Sequence, residues 1–129
     1  MSDPGQICIV HSNNPTPIYF YTFFYGFYVD VLLAKALELA HRKGQLRDES
    51  HATGLVFDSL SGYTWGRFSF GINIAEPHVY NGNPIPTVVW ESANSEPHIV
   101  YVGRRYSARE FIKEFLPTDE TYAEEVESE

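Results

Sequence analysis

The sequence predicts a single α+β domain, an antiparallel sheet of about five strands with two or three helices packed on it in the order ββααβββα. Three observations carry that reading. Apolar residues recur at helical spacing from Val29 to Ala40, and they alternate with small or polar residues at strand spacing from Phe68 to Ile74. Clusters of Gly, Pro, Asn and Ser separate the remaining apolar runs into short pieces. A chain of 129 residues, 43% hydrophobic and without an internal repeat, has the size and composition of one core.

Taken in order, Gln6 to Val10 is a short apolar run, His11 to Pro17 carries turn residues, and an aromatic run follows at once, which reads as strand, turn, strand. Leu32, Leu33, Ala36, Leu37 and Ala40 then mark one helical face, with Gly44 as a left-handed stop and His41, Arg42 and Lys43 beside the last carbonyls. A second helix follows, with Asp48 as N-cap and Ala52, Leu55, Val56 and Leu60 on its inner face. The strand at Phe68, Phe70, Ile72 and Ile74 leads into a proline-containing loop from Glu76 to Pro86. Thr87 to Glu91 and His98 to Val102 make a hairpin. Ser107 and Glu110 form a capping box for a final helix carrying Phe111, Ile112 and Phe115, and Pro117 ends it. The compact domain is therefore expected over residues 1–117, followed by an acidic tail at 118–129.

Charge narrows the partners. The net charge is −8, of which Asp119, Glu120, Glu124, Glu125, Glu127 and Glu129 supply six negative charges, leaving −2 for the rest. A tail of this kind is a solvated end or a lure for a basic partner. Direct nucleic-acid binding is disfavoured because no basic face is evident. Cys8 is alone and sits among apolar neighbours, as a buried thiol in a reducing compartment would. With neither a secretory pattern nor a membrane-length apolar run, a cytoplasmic protein is expected, in the host cytoplasm if the source is viral.

Between Tyr19 and Tyr28, eight of the twenty aromatic residues fall within ten positions. As a strand this run places Phe20, Thr22 and Phe24 on one face and Tyr19, Tyr21, Phe23 and Tyr25 on the other. One reading is a strand covered on both sides; the other is an exposed aromatic platform for a planar ligand or a protein partner. The five histidines are dispersed without the spacing of a zinc set, and no nucleophile elbow surrounds Ser61. Glu76, Glu91 and Glu96 fall around one end of the expected hairpin, and read either as surface carboxylates near turns, the commoner case, or as paired carboxylates on a sugar-binding cleft. Arg67 beside Trp65, and Arg104 and Arg105 beside Tyr106, are the better candidates for an anion or nucleotide pocket.

Tyr21-Thr22-Phe23-Phe24-Tyr25-Gly26, the helix with Leu37, then Arg47-Asp48, Phe70-Gly71-Ile72 and Val88-Val89-Trp90-Glu91 together resemble a pattern in small uncharacterised bacterial and phage proteins. Those proteins show Tyr-x-His-Trp-x-Gly in a strand, a helix, an acidic-led second helix, and Gly-x-Gly-Ile before a strand ending in Asp. The resemblance spans about residues 18 to 91, with Phe23 in place of the His and Phe24 in place of the Trp. It implies a phage or mobile-element context.

The expectation is a non-enzymatic interaction protein, an inhibitor or counter-defence factor that binds a host protein through Tyr21, Phe23, Tyr25, Asp119, Glu120, Glu124 and Glu125, with no metal or cofactor. The alternative is a protein that sequesters a small nucleotide-like signal through Trp65, Arg67, Arg104, Arg105 and Tyr106, with the pocket completed between subunits of a homo-oligomer. A third reading is a small hydrolase using dispersed His and Glu residues.

Overall fold

The computed structural model describes residues 3–23, 25–63, 70–79 and 82–117. Gly5–His11 forms β1 and Asn14–Thr22 forms β2, joined as an antiparallel hairpin in which Ile7 lies opposite Phe20. Val29–Arg42 is α1 and Glu49–Tyr63 is α2. Phe70–Ile74, β3, pairs antiparallel with the outer side of β2. Thr87–Val89, His98–Tyr101 and Arg104–Ser107 are β4, β5 and β6, and Ala108–Phe115 is α3. The chain is α+β, with a single sheet ordered β3-β2-β1-β4-β5-β6.

Two features of the sheet differ from the expected antiparallel arrangement of about five strands. First, β4 runs parallel to β1, with Ile9 opposite Val88, so the sheet is mixed. The chain leaves the β1–β2 hairpin through two helices, adds β3 outside β2, and returns past the start of β1 to lay β4 on its free side. Second, Arg104–Ser107 is a strand rather than a loop leading to the last helix. Val102 and Gly103 both take positive φ, 50° and 72°, as a tight hairpin turn demands. Valine is an unusual residue for that conformation, so the sequence lacks the Asn-Gly signature that announces such turns.

The aromatic run is likewise only half a strand. β2 stops at Thr22, Tyr25 adopts left-handed φ of 63°, and Gly26–Tyr28 forms a 3₁₀ turn. Gly26 permits this because a Cβ there would sit 2.4 Å from the Pro4 carbonyl oxygen. Phe20 and Thr22 are buried as the alternation requires.

All three helices cover one sheet face. Ile7, Ile9, Phe20, Val88, Ile99, Tyr101 and Tyr106 point into them and meet Leu33, Leu37, Val56, Leu60 and Phe111 in one buried cluster. The helix ends follow their sequence signals. Asp48 Oδ1 accepts from the His51 N–H at 3.2 Å, Gly44 takes φ of 69°, and Ser107 and Glu110 form both bonds of a capping box. Trp90, almost fully buried, donates its Nε1–H to the Leu46 carbonyl at 3.0 Å and so fixes the α1–α2 connection to the end of β4. Among the described residues, no helix is long and apolar enough to cross a membrane.

Candidate functional site

Because side chains alternate along a strand, the face opposite the helices receives Gln6 and Cys8 from β1, Tyr19 and Tyr21 from β2, Thr87 and Val89 from β4, His98 and Val100 from β5, and Arg105 from β6. Among the described residues no helix lies on it. At its β2 end, an aromatic cluster is assembled from distant parts of the chain. The Tyr21 ring stacks on the His78 imidazole with 4.0 Å between centroids, and Phe23 presents its edge to both, at 5.6 Å and 5.3 Å. All three residues remain partly exposed.

The sequence sets this geometry by three devices. Gly71 lies opposite Tyr21 on β3, and a Cβ there would come within 2.3 Å of the tip of the Tyr21 ring, so only glycine lets the ring lie down across the strand. Gln6 is wholly buried and uses its amide as a two-point backbone mimic: Nε2 donates to the His78 carbonyl at 3.1 Å, and the His78 N–H donates to Oε1 at 3.0 Å. A buried amide with both functions met is a strong positional lock. Asp3 completes the frame. Its N–H donates to the Phe23 carbonyl, while its carboxylate accepts from the Phe27 N–H at 3.0 Å and from Asn83 Nδ2 at 3.0 Å. Around this frame Phe27 is 66% and Val79 85% exposed. The surface thus joins rigid rings, exposed apolar side chains and a polar surround, which suits contact with another protein.

The opposite end of the same face is a polar cleft of about 520 Å³, lined by Glu91, Glu96, His98, Arg105, Ser107 and Glu110 among others. Glu91 Oε2 lies 3.8 Å from His98 Nδ1 and 3.7 Å from an Arg105 guanidinium nitrogen. Burial, and then the Arg105 charge, lower the pKa of His98 against the opposing pull of Glu91. Its three carboxylates leave the cleft poorly suited to a phosphate. Two of the hydroxyls that line the cleft are engaged locally: Ser107 Oγ accepts from the Glu110 N–H and Ser95 Oγ donates to the Ser92 carbonyl.

The residues expected to act are distributed as follows. Tyr21 and Phe23 meet in the aromatic cluster, and Tyr25 stands two residues beyond in the turn, half-buried. Arg104 and Arg105 point to opposite faces of β6. Arg104 lies over the Tyr106 ring at 4.7 Å on the helix side, and Arg105 faces the cleft. Tyr106 itself is buried edge-on to Phe111 and Phe115, so these three residues do not converge on one ligand. Trp65, Arg67, Asp119, Glu120, Glu124 and Glu125 lie outside the described residues. Cys8 is buried; burial raises the pKa of its thiol, outweighing hydrogen bonds with Tyr19 and Thr87, which suits an inert structural thiol.

Gln6 and His78 are the participants that sequence reasoning missed. A signal existed for Gln6, the polar residue adjoining Ile-Cys-Ile-Val, because a polar side chain beside a buried run needs a buried partner. None existed for His78, whose place depends on a loop crossing 72 positions away in sequence. Comparison with protein-family models, curated proteins and solved structures yields no match.

Proposed function

We propose that this chain is a non-enzymatic interaction protein that docks another protein on the helix-free face of its sheet. The observation that supports this most is the Tyr21–Phe23–His78 cluster, held rigid by Gln6, Gly71 and Asp3 yet left partly open to solvent. Preorganised aromatic rings give large contact area at little entropic cost, and such anchors dominate interface energetics. With the resemblance to small bacterial and phage proteins, the partner proposed is a host protein that the chain inhibits. The nucleotide-sequestering alternative draws less support, because Arg104 and Arg105 point to opposite faces of the sheet and the cleft beside Arg105 is rich in carboxylates.

The test is affinity capture from a bacterial lysate, followed by titration of the recovered partner with purified wild type and Phe23→Ser. A docking role predicts at least about a 30-fold weaker dissociation constant for Phe23→Ser, with unchanged circular dichroism. Equal affinity of the two proteins would remove the cluster from the interface.

A further inference from the structure

The two edges of the sheet are built differently. At one edge, β6 carries Arg104 and Arg105, the charged protection that natural edge strands use against pairing. At the other, β3 reads Phe-Gly-Ile-Asn-Ile, with no charge, no proline and no bulge, and it exposes Ile72 by 48% and Ile74 by 69%. Hydrogen-bond parity shows which backbone groups this edge offers. Cys8 N–H donates to Pro86 on the β4 side of β1, so Ile7 and Ile9 face β2, and Phe20 and Ile18 answer them. Tyr19 and Tyr21 are left for β3, where Asn73 and Gly71 meet them, and Ala75 N–H donates to the Pro17 carbonyl in the same series. The N–H and C=O groups of Phe70, Ile72 and Ile74 therefore point away from the sheet. Among the described residues none of them is paired.

We propose that two copies of this chain associate by antiparallel pairing of β3 with β3 about a two-fold axis at Ile72. This goes beyond the docking role, since it uses the sheet edge rather than the face. The register is self-complementary. Ile72 meets Ile72 of the second copy in a hydrogen-bonded pair, Phe70 meets Ile74, and Gly71 meets Asn73. Every outward backbone group of the three residues gains a partner, and the exposed isoleucines of both copies form one apolar strip, continued by Phe57, whose ring is 4.8 Å from Phe70. Charge favours this contact over others. In a chain of net charge −8, β3 is a wholly uncharged strand and so the approach with least like-charge repulsion. Five paired residues bury less than the ~800 Å² per partner of a standard interface, so the dimer is a weak one that depends on concentration in the micromolar range.

Sedimentation equilibrium from about 1 µM to about 1 mM tests this on the full chain. Wild type and a face control, Val100→Lys, are expected to rise from 14.7 kDa toward twice that mass, while Ile72→Lys stays at 14.7 kDa. Should Ile72→Lys fold poorly, Ile72→Cys serves instead. Hydrogen-bonded antiparallel pairs have Cα atoms about 5.5 Å apart, within disulfide range, so mild oxidation should link two Ile72→Cys chains and leave Ile74→Cys chains unlinked. A wild type that remains monomeric, an Ile72→Lys variant that associates equally well, or cross-linking at 74 rather than 72 would overturn the proposal.

Discussion

Tyr101 shows how one side chain ties packing to solution conditions. Its ring is buried edge-on to Phe111 and Phe115, and its hydroxyl donates to Asp30 Oδ2 at 3.2 Å. Burial first, then the Asp30 charge and hydrogen bond, then Tyr106, push its pKa from the ordinary 10 up to about 12. The folded state therefore holds a proton that the unfolded chain releases between these values. The stability from this group is complete below pH 10 and is lost as pH rises toward 12. Urea titrations of wild type and Tyr101→Phe at pH 9 and pH 11.5 should show the wild type losing more stability, by on the order of 2 kcal/mol. Parallel losses would remove Tyr101 from the alkaline transition. Gln6, Gly71 and His78 belong to this scale too. They were not legible together, because their relation exists only once β1, β3 and the following loop are side by side.

At the scale of elements, local signals performed well wherever a short-range mechanism fixes the backbone. The α1 periodicity, the Asp48 cap and the Ser107–Glu110 box all appear as the residues dictate. The capping box makes a further expectation concrete. Ser107→Ala removes the acceptor of the Glu110 N–H at an exposed helix start and should cost about 1 kcal/mol in thermal or urea unfolding, without altering the sheet. A loss near zero would mean that α3 is held by Phe111 and Phe115 alone. Local signals failed where conformation is imposed from a distance. Val102 enters a left-handed turn because β6 pairs along β5, and Tyr25 does so because Gly26 is pressed against Pro4. Nothing in either residue type announces these outcomes. The parallel contact of β1 with β4 is equally tertiary, because a three-residue strand can join either side of a sheet and only the crossing loop selects one.

For the whole molecule, the α+β class was legible from periodicity, whereas the division of labour between surfaces was not. One face of the sheet holds three helices, one edge is guarded by arginine and the other, among the described residues, is left unpaired, and the remaining face displays fixed aromatic rings at one end and an acidic cleft at the other. Composition pointed to aromatic contact without saying which rings would be open. The alternation along β2 decides it for Phe20, which is buried, and Tyr21, which is presented, while Phe23, just past the strand end, packs edge-on against Tyr21. The docking role rests on this surface, so hydrogen exchange of the protein with and without its captured partner is the most direct test. Slowed exchange in peptides spanning 19–28 and 75–79, with α1 and α3 unchanged, is the predicted footprint. Protection confined to α1 and α3, with no change across Tyr21, Phe23 and His78, would contradict the account.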